Sequence, residues 1–179
     1  MRYESIADIY SANQKIREQF AATVSGISPE DAAILPVGEK WNIQQIVEHV
    51  SIVGSGVAKI CSKLLAGAKE DGIESDGSFT LSANFGERAA AIAVTKVEAP
   101  ERVHPTGEVS IEESLAALTA ATEAYDSLRP DMDRYDLSAH TFPHPFFGPL
   151  TAAEWLVMAG LHEKRHASQI ESLLAKVRG

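Results

Sequence analysis

Cysteine is almost absent from this chain, and Cys61, the single one, leaves no internal disulfide to form. It falls beside an apolar helical stripe and reads as a small buried hydrophobe. Basic residues are also scarce. Lys and Arg number 16 against 25 Asp and Glu, a formal net charge of −9, and nowhere do five or more bases cluster. A phosphate-binding surface needs the opposite balance, so nucleic acid is excluded as a partner. The stretch Met1 to Tyr10 is polar and charged rather than a signal peptide. No apolar run is expected to be long enough to span a membrane. A reducing cytoplasm is the expected compartment. Internal repeats and low-complexity tracts are lacking.

What remains is an ordinary globular composition. Hydrophobic residues make up 45% of 179 residues, enough for a buried core and in keeping with a single domain over 1–179. The clearest organising stretch is near the C-terminus. Thr151 is a good N-cap with Glu154 completing a capping box, and a helix is predicted from there to Arg178. Trp155, Ala159, His162, His166, Ile170, Leu173 and Val177 recur at gaps of three and four, which puts them on one face. Two histidines four residues apart therefore lie on a face that should be apolar, one turn above the other, with both rings able to reach a single point. Two separately satisfied core histidines would be the plain explanation. A divalent metal held by two ring nitrogens is the other, and it needs further ligands from elsewhere.

Upstream, a first helix is expected over Tyr3 to Ser25, with Asn13 occupying a slot where an apolar residue would fit between Ile9 and Ile16. A second helix runs from Ile43 to about Leu65, capped by Asn42, with Ile43, Ile46, Val50, Val53, Val57, Ile60 and Leu64 as its stripe and His49 at the shoulder. A third begins at the capping box of Ser110 and Glu113 and ends at Arg129-Pro130. About forty residues separate the second and third helices, an unusual length for a loop in a compact domain. A crossover explains it: if those helices are parallel, the chain must travel the length of the bundle between them. Residues 94–100 read as extended within it, and part of it should be helical and cover one end. The connection Asp131 to Leu150 is aromatic, Pro-rich and charge-poor, so it should pack down.

His162-Glu163-Lys164-Arg165-His166 also matches the H-E-x-x-H string of zinc peptidases. Position 172, where the extended form of that motif has a third histidine, is Ser172, and few residues follow. Glu163 points about 100° away from His162 and is expected in solvent. The third ligand should come from upstream. His49 is the best candidate, with His144 and His140 next and His104 exposed in the crossover.

These residues resemble the DinB-like (YfiT-type) superfamily. The likeness rests on Trp41-Asn42-Ile43-Gln44-Gln45-Ile46-Val47-Glu48-His49-Val50, on His144-Pro145-Phe146-Phe147-Gly148, and on Leu150-Thr151, Glu154-Trp155-Leu156, His162, Arg165-His166 and Gln169-Ile170. The Val97–Pro100 break and Ser110–Glu113 also fit. The resemblance implies an all-α four-helix bundle of up-down-down-up topology, with the long crossover between its second and third helices. It implies a divalent metal (zinc, nickel or iron) on His49, His162 and His166, and a homodimer. It further implies a metal-dependent enzyme acting on a small molecule, a thiol-dependent transferase or a hydrolase, with a low-molecular-weight thiol as the further cofactor. The alternative is a non-catalytic metal-binding or stress-related bundle. Three neutral imidazoles would leave a position open, where hydroxide or thiolate is favoured. Trp41, Phe142 and Phe146 are candidates to wall the pocket, with Trp41 and His144 reaching substrate. Gln45, Glu48 and Asn13 are candidates to orient the histidines through their second nitrogens. Bound metal is expected to leave as pH drops below roughly 6. No general base is readable.

Overall fold

The computed structural model describes residues 3–83, 85–95 and 98–179. Four long helices, α1 (Ile6–Ser25), α3 (Ile43–Asp71), α5 (Ile111–Arg134) and α6 (Ala152–Arg178), form a four-helix bundle. Short helices α2 (Pro29–Ala33) and α4 (Phe85–Val94) and a 3-10 turn (Glu101–Val103) lie in the connections. Each long helix begins at a side-chain cap: Ser5, Asn42, Ser110 and Thr151. At the last three the residue at N3 returns the bond to complete a capping box.

Cross-links fix the direction of each helix. Gln44 of α3 bonds the Val109 carbonyl, the Tyr125 hydroxyl bonds the Gly54 carbonyl, and Lys69 pairs with Asp131, so α3 and α5 run parallel. Asn13 bonds the Leu156 carbonyl and Arg17 bonds Glu163, so α1 and α6 are also parallel. Tyr10 reaches the Tyr125 carbonyl and Arg17 the Leu118 carbonyl, so α1 opposes α5. Cys61 contacts the Ala152 carbonyl while His49 meets His162, so α3 opposes α6. The topology is up-down-down-up, as expected, and the parallel α3–α5 pair is why a long crossover exists.

Several boundaries differ from expectation for physical reasons. Helix α1 starts at Ile6 rather than Tyr3, because Ser5 accepts from the Asp8 N–H and caps it there. Helix α3 continues through Gly67 to Asp71. Leu64, Leu65 and Ala68 are buried on it, and left-handed Gly72 closes it by donating to the Ala68 carbonyl. Helix α5 runs through Pro130 to Arg134. The turn beyond the proline is held by buried Met132, by Lys69–Asp131, and by the bond from Ser75 N–H to the Arg134 carbonyl. By length and composition α3 is also apolar enough to cross a membrane, contrary to expectation. Its buried side instead packs between α5 and α6. The stretch expected to be extended over 94–100 begins with Val94 still in α4. Residues 96 and 97, and with them Val97 of the Val97–Pro100 break, lie outside the described residues.

The connection before α6 folds into an antiparallel hairpin, β1 (Phe142–His144) with β2 (Gly148–Leu150). It packs on the start of α6: the Trp155 indole N–H donates to the Phe142 carbonyl at 3.2 Å, and Phe147 stacks on Phe85. Apolar side chains form two clusters. One gathers Ile9, Val57, Cys61, Leu65, Met132, Trp155 and Leu156; the other gathers Phe20, Val24, Ile43, Ile46, Val50, Leu118, Ile170 and Leu173. Along α6 the stretch between the two clusters holds His162, Glu163 and His166.

Candidate metal centre

Helix α3 supplies His49 and α6 supplies His162 and His166, and one ring nitrogen from each lies within 4.8 Å of the others. His49 is buried despite its shoulder position on the stripe. The antiparallel crossing of α3 and α6 brings it against the two histidines that the last helix stacks four residues apart. His162 Nε2 sits 3.1 Å from His49 Nε2 and 3.2 Å from His166 Nε2. His140 and His104 are not part of this group. His140 pairs with Asp71, and exposed His104 donates from Nε2 to the Ala99 carbonyl.

The outer nitrogens decide where the protons are. His49 Nδ1 lies 2.7 Å from the Val103 carbonyl, which can only accept, so Nδ1 carries the proton and Nε2 is bare. His166 Nδ1 lies 2.8 Å from Gln169 Oε1, and in this orientation of the amide the oxygen accepts and the His166 proton is on Nδ1. His162 Nε2 then faces two lone pairs, and one proton on it satisfies only one of them. Neutral rings therefore leave lone pair against lone pair. A cation among them removes the conflict. Two nitrogens bound at about 2.0–2.1 Å to one tetrahedral ion stand about 3.3 Å apart, close to the spacings seen here. The donor set fits a divalent metal.

Burial comes first among the causes that keep all three rings neutral. It lowers His49, whose Val103 bond opposes the shift, and it lowers His162 well below the ordinary value, helped by the charges of His166, His49, Arg165 and His144. It pushes His166 down to about 3, with His49 adding to the effect. Neutral rings are the form that ligates.

The groups expected to orient the rings are otherwise engaged. Gln45 serves the α3 cap, Glu48 binds Thr106 and Gly107, and Asn13 bonds α6 at Leu156. The Val103 carbonyl and Gln169 take that place. A backbone carbonyl leaves no mark in the sequence, whereas Gln169 was missed although its spacing of three from His166 on one helix could have marked it. Glu163 is buried rather than solvated, 4% exposed, and binds Arg17 through both oxygens at 2.5 and 2.7 Å. Its carboxylate faces α1, away from the histidines, so the peptidase role for it fails.

Around the cluster, the Trp41 ring lies 4.9 Å from His49 and 5.6 Å from His104, centroid to centroid. His144 accepts at Nδ1 from the N–H groups of Phe146 and Phe147, which leaves the proton of the neutral ring on Nε2. Burial and the nearby Arg102 charge lower it to about 4. Phe146 is 40% exposed beside it, while Phe142 packs on Trp155. Arg165 donates to the carbonyls of Ile92 and Thr95 and ties the end of α4 to α6. Among the described residues no carboxylate hydrogen-bonds the triad.

Among the described residues, three imidazoles from α3 and α6 converge inside a four-helix bundle, a donor set compatible with metal binding. Residues 12–170 match the DinB superfamily, and the chain belongs to it. It is 24% identical over 158 residues to YuaE of Bacillus subtilis (strain 168), described as uncharacterized, a match covering 86% of this chain and 90% of that one. Its fold resembles the crystal structure of TT2238, a four-helix bundle protein, with TM-score 0.59 and 20% identity over 94% of this chain and 99% of that one.

Proposed function

We propose that this protein is a metal-dependent enzyme acting on a small molecule, with His49, His162 and His166 holding a divalent zinc, nickel or iron ion. One observation carries the reading: three Nε2 atoms converge with too few protons to satisfy one another. When bound, the ion supplies an electrophilic centre with room for hydroxide or thiolate.

The chain's own residues set the rest. Val103 and Gln169 hold His49 and His166 in their ligating tautomers. Glu48 and Glu163 spend their charge elsewhere, on Thr106-Gly107 and on Arg17, so the site stays positive and favours an anionic partner. His144 presents a neutral Nε2–H as a donor to substrate, and Trp41 supplies an apolar wall next to His49. The reaction this environment suits is transfer involving a low-molecular-weight thiol, or hydrolysis.

Protein prepared without a histidine tag should carry about one equivalent of transition metal by elemental analysis, or take it up on titration. His162→Ala should abolish uptake. Less than a tenth of an equivalent with no uptake overturns the metal reading. Full metal with no turnover on a panel of thiol-transfer and amide substrates overturns the enzyme reading.

A further inference from the structure

Adjacent residues of α3 grip one short strap of the crossover. His49 holds Val103, and Glu48 holds the chain three residues further on. Glu48 is 2% exposed. Its Oε1 accepts from the N–H and the hydroxyl of Thr106, each at 2.8 Å, and its Oε2 accepts from the Gly107 N–H at 2.8 Å. Burying a carboxylate costs several kcal/mol unless its lone pairs are met, and here the strap meets them. Gly107 suits the grip, because its φ of +81° disfavours a side chain and a Cβ would stand 3.3 Å from Gln45 Nε2. Gln44 pins the following residues through the Val109 carbonyl. Between the pinned segment and Pro100, a single 3-10 turn carries the Val103 carbonyl to His49.

We propose that Glu48 is a positioning residue for the metal centre: by fastening Thr106 and Gly107 it holds the Val103 carbonyl where it fixes the proton of His49 on Nδ1, leaving Nε2 free to ligate. This rests on the metal-centre reading above. An imidazole without a fixed acceptor is free to carry its proton on Nε2 instead, which must be moved before a metal can bind. Outer groups of this kind change metal affinity by about 10–100-fold.

The experiment compares the wild type with Glu48→Gln, Thr106→Val and Glu154→Gln. Thr106→Val is the mild variant, removing one of the three bonds from a surface residue. Glu154→Gln is the control, since Glu154 is an equally buried carboxylate that clamps the crossover elsewhere, through the Ser82 N–H. Two readouts are taken. Long-range proton–nitrogen NMR on the metal-free proteins reports the His49 tautomer, and competition titration reports zinc affinity. Glu48→Gln should move the His49 tautomer away from the Nδ1–H form and weaken zinc at least tenfold. Thr106→Val should do so to a smaller degree, and Glu154→Gln should leave the tautomer unchanged whatever it does to stability. An unaltered His49 tautomer in both Glu48→Gln and Thr106→Val overturns the proposal, as does an equal shift in Glu154→Gln. A wild type that binds no zinc defeats the metal-centre reading, while the tautomer comparison still decides the role of the strap.

Discussion

Glu163 and Arg17 form a two-point ion pair inside the bundle, one residue along α6 from His162 and turned toward α1. Arg17 extends the tie to α5 through the Leu118 carbonyl and the Thr122 hydroxyl, at 2.6 and 2.5 Å, so one guanidinium joins three helices. Removing one member leaves the other charge buried and unpaired, which costs about 3–5 kcal/mol. Glu163→Leu and Arg17→Met should each lower the urea midpoint strongly. The double variant Arg17→Met/Glu163→Leu should recover much of that loss, because no charge is left stranded. Zinc uptake should survive in the folded double variant. A double variant as unstable as the sum of the singles would show that the pair is not an energetic unit.

Gly160 is a glycine because Asn13 lies against it. A Cβ at Gly160 would meet Asn13 Oδ1 at 2.1 Å and Ile16 Cδ1 at 3.4 Å, while Asn13 Nδ2 is held at 2.9 Å by the Leu156 carbonyl. Gly160→Ala should therefore destabilise by about 1–3 kcal/mol through overpacking, although alanine is the better helix former. Asn13→Ala should make room, so Gly160→Ala/Asn13→Ala should be more stable than Gly160→Ala alone. Thermal unfolding of the three variants checks this. A Gly160→Ala protein as stable as the wild type would mean α1 and α6 separate easily at this level.

The same residues show how far the sequence could be read. The stripe of α6 gave the stacked pair His162 and His166, and the apolar stripe of α3 placed His49 at its shoulder. Periodicity reports which face a residue shares, and that was enough for the long helices, the crossover and His49 as the first candidate to join the pair; the bundle topology and the full triad came from the family resemblance. It does not report what a polar residue on the other face meets. Glu163 looked like a surface residue because Arg17 is far away in sequence and on another helix. Asn13 read as a candidate to orient a histidine because nothing local marks Gly160 as its seat. Pro130 looked like a stop because the contacts that hold the turn after it come from α3 and the residues just beyond it. The strap over His49 was hidden for a further reason: its working group is a backbone carbonyl, which every residue has.

Acid should release metal by unfolding the protein rather than by protonating its ligands in place. Burial holds His49, His162 and His166 below the ordinary histidine value, His166 at about 3. The unfolded chain keeps ordinary histidines near about 6.5. Between these values the unfolded state binds more protons, so stability rises with pH across the window. The contribution is complete above about 6.5 and is lost as pH falls, at about 1.4 kcal/mol per pH unit for a ring held as low as His166, until the folded ring itself titrates. Metal-free protein should thus show a melting temperature that is level above about pH 7 and declines below about pH 6, with a shallower decline in His166→Asn. In the zinc-loaded protein, proton competition at the folded site sets in later than for exposed histidines. Zinc release, followed with a chromophoric chelator, should therefore coincide with the loss of helical circular dichroism as pH is lowered. Release at about pH 5.5 from protein that keeps its full helical signal would show that the ligands protonate like exposed imidazoles, and that the neutral triad does not hold the metal.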